Sequence, residues 1–178
     1  MGDRCYCTLT LSGILQKEHI SLLAGAINGA DPADYSKTIK GLAQLEANIA
    51  NGQASFDFQD VNYAQMDDDL KATCESLRLS YVWFNEAGDE YEASETYYDA
   101  RTGEHPEYNL VNGSIGLTLD EIDMPGALEK ARHWRDFGKS MIFFVAASNH
   151  DLLATEGYAD RPQGYLELLA GIDLSDLE

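Results

Sequence analysis

Hydrophobic periodicity divides the chain into short elements of both kinds. Arg4 to Gly13, RCYCTLTLSG, alternates: Cys5, Cys7, Leu9 and Leu11 share one face, and Arg4, Tyr6, Thr8 and Thr10 the other. This pattern predicts a half-buried strand, with its two thiols as small core side chains rather than a metal or redox pair. Helical spacing follows, with Ile20, Leu23 and Ile27 on one stripe that Asn28-Gly29 stops. A second helix is expected from an N-cap at Ser36, with Ile39, Leu42, Leu45 and Ile49 inward and Asn51-Gly52 at its end. Ala54–Gln59 reads as a short strand carrying Phe56 and Phe58 on one face. Met66–Leu77 reads as a third helix buried through Met66, Leu70, Cys74 and Leu77.

Strand signals dominate from Leu79 to Leu119, which reads as an antiparallel meander. LSYVWFN is apolar on both faces, as in an interior strand. A turn over Glu86–Asp89 leads to the polar, Tyr-rich Glu90–Asp99, and a turn at Arg101–Gly103 to Glu107–Val111. Asn112-Gly113 is the strongest hairpin signal in the chain, and Ser114–Leu119 is the strand expected after it. Pro125 opens a helix with Leu128, Ala131, Trp134 or Arg135, and Phe137 near one side, and Gly138 is expected to stop it. Met141–Ala147 is a buried strand, and a short helix in RPQGYLELLAGI closes the chain. Helices and antiparallel strands without regular alternation predict a single α+β domain over residues 1–178: a sheet packed with about five helices.

Charge changes this picture most. The 178 residues hold 31 Asp and Glu against 12 Lys and Arg, a net charge of −19. Such a field repels nucleic acid and anionic membranes and attracts basic surfaces. The acids are also clustered. Asp57–Glu107 carries 14 acids and three bases (Lys71, Arg78, Arg101), so 14 − 3 places −11 of the −19 in 51 residues. Acidity for general solubility would spread them evenly; a surface made for a basic partner would gather them.

Catalytic and metal motifs are missing. Three cysteines, Cys5, Cys7 and Cys74, have no zinc spacing, and their odd number fits a reducing, cytoplasmic setting. His19, His105, His133 and His150 form no known zinc pattern. Asp67-Asp68-Asp69 lacks the spacing of a calcium loop and suits a helix N-terminus. Ser148-Asn149-His150-Asp151 has no nucleophile elbow around it, and no phosphate-binding glycine motif occurs. The N-terminus enters a strand pattern within four residues, without a signal peptide, and no apolar run approaches membrane length. The expectations are therefore no cofactor, no metal, no enzyme, no membrane and no direct nucleic-acid contact.

The sharpest feature is Gly88–Tyr108, with seven carboxylates and four tyrosines in 21 residues. As a strand, Glu90–Asp99 would put Glu90, Glu92, Ser94 and Thr96 on one face, and Asp89, Tyr91, Ala93, Glu95, Tyr97 and Asp99 on the other. Neither face is apolar enough for deep burial, which predicts an edge strand or one with an open outer face. Edge protection needs only two or three of these charges. Together with Asp57, Asp60, Asp67, Asp68 and Asp69, the acids Asp89, Glu90, Glu92, Glu95, Asp99, Glu104 and Glu107 form the candidate partner-binding set. Tyr91 and Tyr97 join it as rigid contact area able to stack on Arg.

Asp60–Glu104, DVNYAQMDDDLKATCESLRLSYVWFNEAGDEYEASETYYDARTGE, resembles a segment of small phage- and plasmid-borne accessory proteins. The shared pattern is an Asn-Tyr pair (Asn62-Tyr63), an acidic helix, a strand, a Gly-centred turn and an acidic Tyr-rich strand. Ala64 stands where a glycine is usual. The resemblance implies a mobile-element origin. By class and charge the chain is also similar to anti-restriction and anti-CRISPR inhibitors, several of which imitate DNA. The expected function is thus an inhibitor made by a phage or plasmid, binding a basic, nucleic-acid-binding host defence complex in competition with DNA. The alternative is an adaptor or assembly module whose acidity serves solubility; a hydrolase using unassigned carboxylates comes third.

Overall fold

The structure, a computed structural model, describes residues 4–30, 41–62, 66–88 and 92–146, with the side chains of Arg4 and of residues 59–62 left aside. Strand β1 (Arg4–Gln16) organises the fold. It pairs antiparallel with β2 (Ser55–Asn62) on one side and β3 (Ser80–Asn85) on the other. From β3 a meander continues through β4 (Ser94–Tyr98), β5 (Glu107–Val111) and β6 (Ser114–Ile115), giving the order β2-β1-β3-β4-β5-β6. The far end of β1, Gly13–Gln16, pairs parallel with β7 (Phe143–Ala146). The helices among the described residues are α1 (Ile20–Ala30), α2 (Leu42–Ala50), α3 (Asp68–Ser76), α4 (Leu119–Ile122) and α5 (Ala127–Lys139). The architecture is α+β, as the sequence predicts.

Alternation along β1 sets the two faces. Cys7, Leu9 and Leu11 turn inward with Phe56 and Phe58 of β2 and Tyr81 and Trp83 of β3, all buried. Leu23, Ala24 and Ile27 of α1, Leu45 and Ile49 of α2, and Leu70 and Cys74 of α3 close over this first face. Each of the Leu and Ile side chains contributes about 1.5–3 kcal/mol by leaving water. Among the described residues the second face is covered only in part, by α5. Trp134, at 0 % exposure, packs on Val82 and Tyr97, with Phe137, Tyr108 and Ile115 around them. Being covered on both sides, β3 needs the apolar residues at both parities that its sequence has.

The N-terminal thiols are core, as expected. A β-bulge shifts the β1–β2 register between Cys5 and Cys7 and brings their sulfurs to 3.3 Å. Burial pushes the Cys7 thiol up and that of Cys74 up to about 12, so both stay protonated.

Several boundaries move. β4 is interior, hydrogen-bonded to β3 and β5, not an edge. Its residues also bury more deeply than their polarity suggests: Ser94 and Tyr97 are inside. Internal bonding permits this, because the Ser94 hydroxyl lies 2.5 Å from Asn85 Oδ1, and Tyr97 donates to Glu95. Ser114–Leu119 is strand only to Ile115. Thr118 then caps α4 in a capping box with Glu121, a T-x-x-E signal present in the sequence. Leu128 lies outward on α5. Helix α2 begins at Leu42, after Gly41 at φ +93°; the expected cap at Ser36, the closing helix and the Asn149–Asp151 loop fall outside the described residues.

Candidate functional site

Strand register places the acids. Thr8 faces Asp57 and Phe84, Phe84 faces Glu95, and Glu95 faces Tyr108. The row Asp57–Thr8–Phe84–Glu95–Tyr108 therefore crosses the second face over five strands. Three inter-strand steps separate Asp57 from Glu95, about 14 Å. Asp57 is exposed on β2 and accepts the Thr8 hydroxyl at 3.1 Å. Glu95 is half-buried and accepts the hydroxyl of the buried Tyr97. Burial, then this carboxylate, pushes the Tyr97 phenol up, so it remains a donor.

The other acids lie elsewhere. Helix α3 packs on the first face, and Asp67 is its N-cap, with Oδ1 accepting from the backbone N–H of Asp69 at 3.0 Å and of Leu70 at 3.1 Å. Asp68 and Asp69 occupy the first turn, exposed and favoured there by the helix dipole. Glu107 faces Thr96 across β4–β5, on the first-face side, and its Oε1 lies 3.2 Å from the Ser94 hydroxyl. Glu92 and Glu104 are exposed in loops. The described acids are thus divided between the two faces, not joined in one continuous sheet surface.

Two of the chosen residues are interior. Asp99 is 3 % exposed: its Oδ1 accepts the Arg101 backbone N–H at 2.9 Å, and its Oδ2 lies 3.4 Å from the Arg101 guanidinium. It closes the 99–104 turn and presents no open carboxylate. Tyr97 packs on Trp134 with ring centroids 5.6 Å apart. Asp89, Glu90 and Tyr91 fall outside the described residues, as does the side chain of Asp60.

A second cluster joins α3, β3 and the turn. The fully buried Tyr81 places its hydroxyl 2.9 Å from His105 Nε2 and stacks on Tyr98 at 5.2 Å. Burial, then Glu75, pushes the Tyr81 phenol up; burial, then Lys71, lowers His105. A phenol held protonated against a neutral imidazole satisfies both polar groups and pins the turn to the core. Among the described residues no three His, Cys, Asp or Glu side chains gather as a metal site, and no helix is long and apolar enough to cross a membrane.

Periodicity gave no sign of a groove on the second face. Its floor is two adjacent register rows, Thr8–Phe84–Glu95 and Thr10–Val82–Tyr97. Arg135, Gly138 and Lys139 of α5 form one wall, and Gly113–Ile115 of the β5–β6 turn another, around a volume of about 330 Å³. Gly138 lets the helix sit close, because a Cβ there would meet Tyr97 Cε1 at 3.2 Å. The only signal in the sequence was the alternation of β1, which leaves Thr8 and Thr10 on the face away from the main core. No family model matches the chain, and the comparisons with curated proteins and with solved structures give no match.

Proposed function

We propose that this protein is an inhibitor of phage or plasmid origin that acts by binding. It would occupy the basic groove of a host nucleic-acid-binding defence complex, of the CRISPR or restriction kind, and compete there with DNA. The observation that carries this reading is a set of exposed carboxylates without cationic partners. Asp67, Asp68, Asp69, Glu92, Glu104 and Glu107 are all exposed, and none makes an ion pair among the described residues. Ion pairs there join Glu18 to His19, Asp99 to Arg101 and Asp136 to Arg135.

The mechanism is electrostatic. A groove for duplex DNA meets one negative charge per ~1.7 Å of axis and therefore presents Lys and Arg densely. Carboxylates fixed on a capped helix and a closed turn meet such cations with little ordering cost. Salt weakens the attraction by screening, over a length of about 10 Å at 0.1 M. The test is capture of host-lysate proteins on the immobilised chain at low and high salt, followed by challenge with duplex DNA. A basic, nucleic-acid-binding partner released by either treatment supports the reading; a partner that resists both removes it.

A second reading, an adaptor that docks through apolar contact, is favoured by one corner of the fold. Leu119 and Ile122 of α4, Met124 in the link after it and Leu128 at the start of α5 are 82, 58, 61 and 55 % exposed. Four exposed apolar side chains within ten residues are the kind of concentration from which interaction surfaces are built. It predicts binding that persists in high salt and is lost when Leu119 and Ile122 become Ser.

A further inference from the structure

We propose that the groove on the second face of the sheet binds a small zwitterion, an amino acid or short peptide with an apolar side chain. The inference is independent of the acidic-surface reading, since it needs none of the exposed carboxylates.

The groove is lined by charges of both signs around an apolar strip. Among the described residues Glu95 is the one carboxylate in its lining, and Tyr97 holds it in place by donating to Oε2, which leaves Oε1 for a ligand ammonium. Arg135 and Lys139 are four residues apart on α5, hence on one helix face, and both line the groove. Arg135 gives Nε and one terminal nitrogen to Asp136 Oδ1, at 3.1 and 3.0 Å. Its other terminal nitrogen and the Lys139 ammonium, which makes no ion pair among the described residues, can take a carboxylate. The lining also holds the apolar Phe84, Val82 and Ile115, with Thr10 and Ser114 beside them. A volume of about 330 Å³ suits a ligand of this size.

The charge balance argues against simpler ligands. A bare anion meets Glu95 and the field of a chain of net charge −19. A bare cation meets Arg135 and Lys139. A molecule with both charges satisfies both sides.

Titration of the ¹⁵N-labelled full chain with L-phenylalanine and L-leucine, followed by amide shifts, tests this. The des-amino analogue phenylpropionate and the decarboxylated analogue phenethylamine are run beside them. The expected result is saturable shifts at Thr8, Phe84, Ser114 and Lys139, with each single-charge analogue weaker by about tenfold or more, the loss of one charge-assisted bond. Glu95→Gln, which keeps an acceptor for Tyr97, and the solvent-exposed Lys139→Gln should each weaken the amino acid similarly. No saturable shift with either amino acid overturns the proposal. So does equal binding of a single-charge analogue, or binding that neither substitution alters.

Discussion

Replacing Asp99 tests whether its carboxylate supports the fold or serves a surface. Its side chain is 4 % exposed, and Arg101, which pairs with it, is 39 % exposed. The carboxylate accepts the Arg101 N–H at 2.9 Å, while the Asp99 carbonyl accepts Gly103 N–H at 2.8 Å and the Asp99 N–H donates to Glu104 O at 3.1 Å. Asp99→Ala removes a hydrogen bond to a charged acceptor, worth ~1.5–3 kcal/mol. The ion pair adds little, about 0–1 kcal/mol, because the guanidinium is solvated. The expected loss is about 2–3 kcal/mol for Ala. Asp99→Asn keeps an oxygen for the Arg101 N–H and should lose about 1 kcal/mol. Urea unfolding with an unchanged m-value measures both, and amide exchange should quicken first over residues 99–104. Both variants unfolding within about 0.5 kcal/mol of the parent, the scatter of neutral surface substitutions, would refute the reasoning. Reversing Asp99 to Lys would therefore confound any binding experiment by loosening the turn.

Other outcomes follow from the same geometry. His105 has a lowered pKa in the fold, so the unfolded chain takes up its proton first as pH falls below about 6.5. Stability present above that pH should decline below it, and His105→Gln should flatten this part of a thermal-melt pH profile; an unchanged slope would contradict the assignment. Gly13 sits at φ +128°, and a Cβ there would lie 3.3 Å from Leu79 Cδ2. Gly13→Ala should cost about 1–3 kcal/mol in urea unfolding. Cys5, Cys7 and Cys74 are all buried, so a thiol-specific dye should label none in the native protein and all three in denaturant; rapid native labelling would contradict their core placement.

The fold was more legible in the sequence than the site. Periodicity located β1, α1, α3 and the Asn112-Gly113 hairpin, because burial of one face imposes a repeat that a single element displays. Asn112 and Gly113 take the positive φ values, 52° and 73°, that such a turn requires. Periodicity misjudged β4, whose polar residues are satisfied by Asn85, Glu107 and each other across strands, a property of pairs that no single segment shows. The same reason hid Asp99: burial of a carboxylate depends on the turn it closes. The groove depends on register between β1, β3 and β4 and on the approach of α5, which is set by tertiary packing. Charge clustering was visible as a count, but only the fold separates Asp57 and Glu95 on one face from Asp67–Asp69 and Glu107 toward the other.

The central claim, recognition through exposed carboxylates, is tested most directly by reversing Glu92, Glu104 and Glu107 to Lys in one variant. All three are exposed, and although Glu107 accepts the Ser94 hydroxyl, that hydroxyl also has Asn85 Oδ1 as an acceptor. With circular dichroism and urea unfolding showing an intact domain, the measurement is retention of basic host nucleic-acid-binding proteins on the immobilised chain, with duplex DNA as competitor. The account predicts that the parent retains them in a salt- and DNA-sensitive manner and that the reversed variant does not. Equal retention by a folded variant would contradict it.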